Sequence, residues 1–184
     1  MVSGVETMII YGGRGPSGIS ADVFLLDVAG LTWMQGTSSP QIQARHSAVW
    51  TGTGMLAHGG GDGNVYLDIL LFYDPVGDTW ATLTPATSNV PTLRLGHEAV
   101  WTGTEMIVQG GVGTDGAGGL GGDGRTWYVH SLTGSTATWT PFTLTPTPPK
   151  NTGDLKAIWA PLENTMYRFW GDSKSGDLRT YLRP

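Results

Sequence analysis

His46 to Gly60 reads HSAVWTGTGMLAHGG and His97 to Gly111 reads HEAVWTGTEMIVQGG, two runs that superimpose at an offset of 51 residues, an offset that Pro40 and Pro91 share. Each run is an apolar stretch, a Thr-Gly-Thr turn, and a second apolar stretch that stops at paired glycines. Short apolar runs rich in β-branched and aromatic residues, bounded by turn formers, are strands. The same strand-turn-strand unit has been written twice, and internal repetition governs how the rest of the chain is read.

The unit extends to both sides. Upstream, SGVETMIIYGG (Ser3 to Gly13) supplies the second strand and its glycines; downstream, AIWAPLENTMYRFWG (Ala157 to Gly171) supplies both strands with a longer turn. Met8, Met55, Met106 and Met166 mark the four copies, spaced 47, 51 and 60 residues apart. Beyond the glycines, Asp27 and Asp74 close a third strand, and Trp33, Trp80 and Trp139 stand on a fourth. Two positions break the pattern: Trp170 replaces the first glycine of copy four, and His130-Ser131 stand where copy two has Tyr73-Asp74.

Composition agrees with strands and excludes several function classes. Forty of the 184 residues are glycine or proline, 29 and 11 respectively, so no helix of three turns can run uninterrupted. Eight tryptophans require a packed core. A net charge of −5 lacks the electrostatic footprint of nucleic-acid binding. No apolar run is long enough to span a bilayer, and MVSGVETMIIYGG has neither the basic region nor the long apolar stretch of a signal peptide. With no cysteine, disulfides, thiolate metal sites and cysteine nucleophiles are excluded.

A period near fifty residues, with an apolar strand ending in Gly-Gly, a strand leading to Asp or Tyr-Asp, and a Trp further on, resembles the kelch repeat. The resemblance covers essentially the whole chain. It implies an all-β partial β-propeller of four kelch-like blades, each a four-stranded antiparallel sheet packed radially. Consecutive apolar positions in MIIY and MIVQ fit strands covered on both faces by neighbouring blades. Trp33, Trp80 and Trp139 are the expected spacers between blades.

Laid on this pattern, residues 1–184 form a single segment with approximate blades at 1–38, 39–89, 90–147 and 148–184. The first blade lacks its innermost strand and the last lacks its outermost, leaving two blade faces and strand edges to be covered. Remaining blades of a parent chain, a homo-oligomer completing the ring, or closure as a small ring are the three ways of covering them. Two copies cannot merge into seven blades, because the partial strand sets do not make one sheet.

Repetition also separates scaffold from site: what recurs in every blade is explained by the blade, and a single site is made of residues that break the repeat. By this criterion His46 and His97 are structural, and Asp27, Asp74 and the Asp78-Thr79-Trp80 step are turn chemistry. The repeat-breaking residues are Arg14, His58, Arg94, Arg125, His130, Lys150 and Trp170. From them and the rim aromatics we take Arg14, Tyr66, Arg125, Trp127 and Trp170 as candidate ligand or partner contacts. Arginine on a rim loop suits a carboxylate, and the aromatics suit a sugar.

GGVGTDGA (Gly110 to Ala117) followed by GGLGGDGR (Gly118 to Arg125) resembles two calcium-binding nonapeptides. Their spacing is eight where that family has nine, and Arg125 stands where an apolar residue belongs. The segment is therefore taken as a surface loop, with no metal and no cofactor expected; calcium at Asp115 or Asp123 is the alternative.

No catalytic residue is expected. The copper chemistry of some kelch-like propellers needs a cysteine-tyrosine crosslink. Mutarotase chemistry needs a well-placed glutamate, whereas Glu6, Glu98, Glu105 and Glu163 fall mostly in tight turns. The expected function is a non-enzymatic scaffold for protein binding or assembly through rim loops, with a carbohydrate-binding propeller as the alternative and no nucleic-acid or membrane partner. Three lysines, no cysteine and abundant threonine and glycine point to an extracellular or cell-surface setting.

Overall fold

The computed structural model describes residues 4–86, 90–113, 126–133, 136–142, 155–170 and 179–182, with the backbone alone at 126–133, 142, 155, 168–170 and 179–182. Every regular element among them is a β-strand. None forms a helix long and apolar enough to cross a membrane.

The strands fall into four consecutive blades. Blade one holds β1 (Thr7–Tyr11), a two-residue hairpin β2 (Arg14–Gly15) and β3 (Gly18–Ile19), then β4 (Val23–Asp27) and β5 (Thr32–Gln35), with β1, β4 and β5 forming the sheet. Blade two is β6 (Ser47–Trp50), β7 (Met55–His58), β8 (Leu70–Asp74) and β9 (Thr79–Pro85), each antiparallel to the next. After the short β10 (Arg94–Leu95), blade three runs β11 (Glu98–Trp101) and β12 (Glu105–Gln109). It then passes β13 (Val112–Gly113), which pairs with β10, and ends with β14 (Thr126–Thr133) and β15 (Thr136–Phe142). Blade four is β16 (Leu155–Ala160), β17 (Thr165–Trp170) and β18 (Arg179–Leu182). Among the described residues the main sheets of the blades hold three, four, four and three strands.

The blades depart from four separate sheets at one point. β9 and β15 pair in parallel through Thr84↔Thr136 and Pro85↔Ala137, so blades two and three become one continuous sheet of eight strands. The amide of Ala86 extends the join, donating to the carbonyl of Ala137 at 2.7 Å.

Blades pack face against face through three apolar seams. Tyr11, Val23 and Leu25 of blade one meet Met55, Ala57, Leu71 and Tyr73 of blade two. The other face of blade two, with Val49, Leu56, Leu70 and Leu83, meets Met106, Val108 and Trp139 of blade three. Val100 and Ile107 then meet Met166, Ala157 and Trp159 of blade four. Alternate residues of a strand point to opposite faces, so an inner strand of an interior blade is buried at every position and apolar through its middle. β7 and β12 are buried throughout.

Blade one differs from the expectation that both its faces are covered. Along β1 burial alternates, with Met8 and Ile10 exposed and Tyr11 buried. Of the three spacer tryptophans, Trp139 is 2% exposed, Trp80 is half-buried and Trp33 is 52% exposed, because among the described residues no sheet lies against its side of blade one.

The turn aspartates behave as read, with one exception. Asp27 Oδ1 accepts from the amides of Ala29 and Gly30 at 2.9 Å, and Asp74 Oδ1 from Val76 at 2.9 Å. Asp78 instead bridges the first seam. Its carboxylate accepts from Thr37 N and Oγ1 at 2.8 Å and from the Tyr73 hydroxyl at 2.7 Å, and the Thr37 amide leads in holding it below the usual carboxylate range.

Candidate functional site

The paired glycines define one rim. Gly12, Gly13, Gly59, Gly60, Gly110 and Gly111 all have φ between +61° and +91°, the left-handed region that side chains avoid. In blade two the need is also steric: a Cβ on Gly59 would lie 2.7 Å from His97 Cε1, and one on Gly60 would lie 2.7 Å from the Ala44 carbonyl oxygen. The bare backbone lets the next blade's chain bond directly. Gly13 N–H donates to Gln43 O and Gly60 N–H to Arg94 O, both at 2.7 Å.

Under this rim lies a polar layer that also repeats. In the first seam Tyr11 stacks on His46 and on Trp80, with ring centroids 4.8 and 4.7 Å apart. In the second, His58 takes the place of Tyr11 and meets His97 and Trp139 at 5.1 and 5.0 Å. Gln43 Nε2 donates to Gly59 O at 2.6 Å, and Arg94 Nη1 donates to Gly110 O at 2.9 Å. Arg94 and His58, singled out as repeat-breaking, are thus buried scaffold that fills the places of Gln43 and Tyr11 with different donors.

One pair in this layer has the atoms of a nucleophile and its base: Ser47 Oγ lies 2.8 Å from His97 Nε2, and His58 Nδ1 lies 3.3 Å from the same nitrogen. Burial decides against that use. Desolvation, followed by the Arg94 charge, holds the His97 imidazolium down to about 3, and desolvation holds His46 at about 4. His58 is pushed well below its usual value by burial, then by His97 and Arg94. Imidazoles this reluctant to take a proton, sealed between blades, are seam packing. The same desolvation pushes the Tyr11 phenol up to about 12.

Above the layer the loops of three blades nest. Arg14 is exposed on the β2–β3 hairpin, paired with Ile19. A Cβ on Gly63 would lie 3.3 Å from Ile19 Cδ1, and one on Gly61 would lie 3.5 Å from Leu95 Cδ2. Half-buried Tyr66 is held in that middle loop by its bridge to Gly61, while Asp62 caps the loop by accepting from the amides of Asn64 and Val65. Arg14, Tyr66 and Leu95 therefore belong to one continuous surface.

A further rim residue escaped the sequence reading. Arg45 is exposed, sits at φ +59°, and occupies the place that Gly96 fills in blade three at φ +64°. Its carbonyl accepts from Gly96 N–H at 2.8 Å, and its guanidinium lies over that glycine, with Nη2 3.4 Å from where a Cβ would stand. The signal was present: at the offset of 51 residues, arginine stands opposite glycine.

Of the remaining candidates, Trp127 pairs with Val108 and Pro141 within blade three, and Trp170 with Leu155 in blade four. The structure describes their backbone. Lys150 and residues 114–125 of the calcium-like segment, Asp115, Asp123 and Arg125 among them, lie outside the described residues. Among the described residues no group of three or more His, Asp or Glu side chains is arranged to hold a metal ion. Of the glutamates read as turn residues, Glu98 is in β11, 3.0 Å from Lys156 of blade four, and Glu105 is buried at the start of β12.

Repeats whose inner strands end in paired glycines in blades one to three, with seams closed at one rim, are the features that a family assignment must match. Residues 1–111 of the 184 match the model of the KLHDC2/KLHL20/DRC7 Kelch-repeats domain. The chain belongs to the kelch-repeat family. No curated protein matches it. A kelch-repeat domain is a β-propeller scaffold for protein interaction, and the nested rim loops are where this kelch chain offers side chains that its repeat does not require.

Proposed function

We propose that this kelch chain is a non-enzymatic scaffold that binds a protein partner through the rim of blades one to three, with Arg14 and Arg45 receiving carboxylates. The observation that carries the reading is the continuity of that rim. Three loops nest into one surface, and the two exposed guanidiniums on it break the repeat. Guanidinium offers a fork of donors that suits acidic side chains, and its charge speeds encounter even on a chain whose net charge is −5. Arg45 is held in a backbone conformation that glycine adopts more cheaply, the kind of local cost that persists at functional positions.

A peptide array carrying acidic and neutral sequences tests it. The wild type is expected to retain acidic peptides, and Arg14→Glu/Arg45→Glu to lose them, with retention falling as salt rises. Equal retention by the charge-reversed protein would overturn the reading. So would binding confined to a glycan array and abolished by Trp127→Ala, which is the outcome a carbohydrate-binding propeller gives. Turnover of a sugar by the purified chain would place it among enzymes instead.

A further inference from the structure

The seam between blades two and three is closed at the glycine rim, where Gly60 N–H bonds to Arg94 O, and opens at the other rim into a cleft of about 380 Å³. That volume is within the range of small-molecule sites. Blade two contributes Phe72, Leu83 and the turn at Thr51 and Thr53; blade three contributes Trp101 and Thr104. Both blades have a neighbour on either side, so the cleft belongs to the body of the arc. The two turns beside it are one device. Gly52 and Gly103 stand at φ +103° and +105°. Thr51 Oγ1 accepts from Gly54 N–H and Thr102 Oγ1 from Glu105 N–H, both at 3.1 Å, so the first threonine of each turn is engaged in holding it. The second, Thr53 and Thr104, is exposed, with a hydroxyl that can donate and accept. Trp101 recurs as Trp50 and Trp159 and belongs to the blade plan. What lies under the turn does not recur. Before the methionine, blades one, three and four carry Thr7, Glu105 and Thr165, and blade two alone carries a glycine, Gly54. A Cβ there would overlap the Phe72 ring and stand 2.6 Å from the Tyr73 carbonyl oxygen. The missing side chain leaves the room that Phe72 takes; in the same register blade one has Leu25 and blade three Tyr128.

We propose that this cleft binds a neutral carbohydrate, one sugar ring packing on the aromatic side chains of the two blades and bonding to the threonine hydroxyls of their turns. The lining argues for that class. Among the described residues none that lines the cleft carries a charge, so an ionic ligand would lose its water without gaining a counter-charge. A wholly apolar ligand would leave the hydroxyls facing it unpaired. A sugar ring offers C–H faces to Phe72 and Trp101 and hydroxyls to Thr53 and Thr104, the mixture of aromatic wall and few polar groups by which small ligands are held. The cleft is on the opposite rim from Arg14 and Arg45. It therefore stands or falls apart from the rim proposal, and both sites can be filled together.

Saturation-transfer NMR with glucose, galactose, mannose and N-acetylglucosamine tests it, with glucuronate and phenol as the charged and apolar controls. At least one neutral sugar is expected to receive magnetisation from the wild type, and neither control to compete with it. Trp101→Ala should weaken binding of that sugar by about tenfold, the worth of one well-placed aromatic contact. Thr53→Val/Thr104→Val removes two exposed hydroxyls and keeps the shape of the side chains, so circular dichroism should be unchanged while the sugar is weakened by a similar factor. Trp101 also packs against the seam, and if Trp101→Ala does not fold the threonine variant decides. Trp127→Ala and Arg14→Glu/Arg45→Glu should leave the sugar signal unaltered. Silence on all the sugars, binding of glucuronate or phenol in their place, or a sugar signal that survives Thr53→Val/Thr104→Val would overturn the proposal.

Discussion

Met8 in blade one and Met106 in blade three occupy the same place in the repeat and precede the same paired glycines, yet the first is 45% exposed and the second fully buried. The strands that carry them are equally apolar, TMIIY and EMIVQ. What differs is the neighbour: blade two lies against Met106 and no described sheet lies against Met8. The repeat determines what a strand is made of, and position in the arc determines what its residues are worth. Energies should therefore diverge between blades wherever sequences do not.

The largest divergence is expected at the methionines themselves. Met106→Ala should destabilise the chain by about 2 to 5 kcal/mol through lost transfer energy and the cavity left behind. Met8→Ala should cost within about 0.5 kcal/mol, as ordinary surface changes do. Urea midpoints read both, and a large Met8 effect would mean that the outer face of blade one is covered. Next are the second glycines of each pair. Gly13 and Gly60 have nearly the same φ, +91° and +86°, so the backbone cost of alanine is shared at about 1 to 2 kcal/mol. A Cβ on Gly13 meets nothing within 4 Å, whereas on Gly60 it meets the Ala44 carbonyl at 2.7 Å. Gly60→Ala should therefore lose about 1 to 3 kcal/mol more than Gly13→Ala. Equal losses would mean that the seam yields at the rim.

Acid distinguishes the seams in the same way, because the second holds His58 and His97 where the first holds Tyr11 and His46. Histidines whose folded pKa lies near 3 to 4 bind protons when the chain unfolds and not before. Their contribution is complete above the unfolded value of about 6.5 and is lost as pH falls from there toward 4. Each such histidine steepens the fall by about 1.4 kcal/mol per pH unit. His58→Gln, which installs the residue that blade three carries as Gln109, should flatten the dependence by one proton. Denaturant midpoints between pH 7 and 4.5 measure it, and an unchanged slope would show that His58 does not stay neutral in the fold.

The blade plan was legible because it is written in short-range signals: glycine pairs, apolar runs of strand length, aspartates at turns. The strand count per blade followed from where those signals start and stop. The join between β9 and β15 was not legible, since it depends on how far two outer strands run and leaves no periodic trace at Thr84, Pro85, Thr136 or Ala137. The site was legible only in part. Sorting by residue identity put Arg94 among the repeat-breaking residues because arginine does not look like Gln43, although both donate to the carbonyl of the equivalent glycine. Arg14 and Tyr66 were singled out from the sequence, but their adjacency through Ile19, Gly61 and Gly63 needed coordinates.

Arg45 yields the smallest effect and the sharpest use of the comparison. At the same rim position blade three has Gly96 at φ +64° and blade two has arginine at φ +59°. A non-glycine residue held there costs on the order of 1 kcal/mol, and glycine's greater freedom in the unfolded chain offsets part of the gain from relieving it. Arg45→Gly should therefore stabilise the chain by at most about 1 kcal/mol, while Gly96→Arg should destabilise it by a similar amount, read from urea midpoints at neutral pH. If the rim binds carboxylates, the more stable variant is also the weaker binder, and acidic-peptide retention falls as the midpoint rises. A variant that gains stability and keeps its peptides would leave Arg45 outside the binding surface and restrict the charge-bearing role to Arg14.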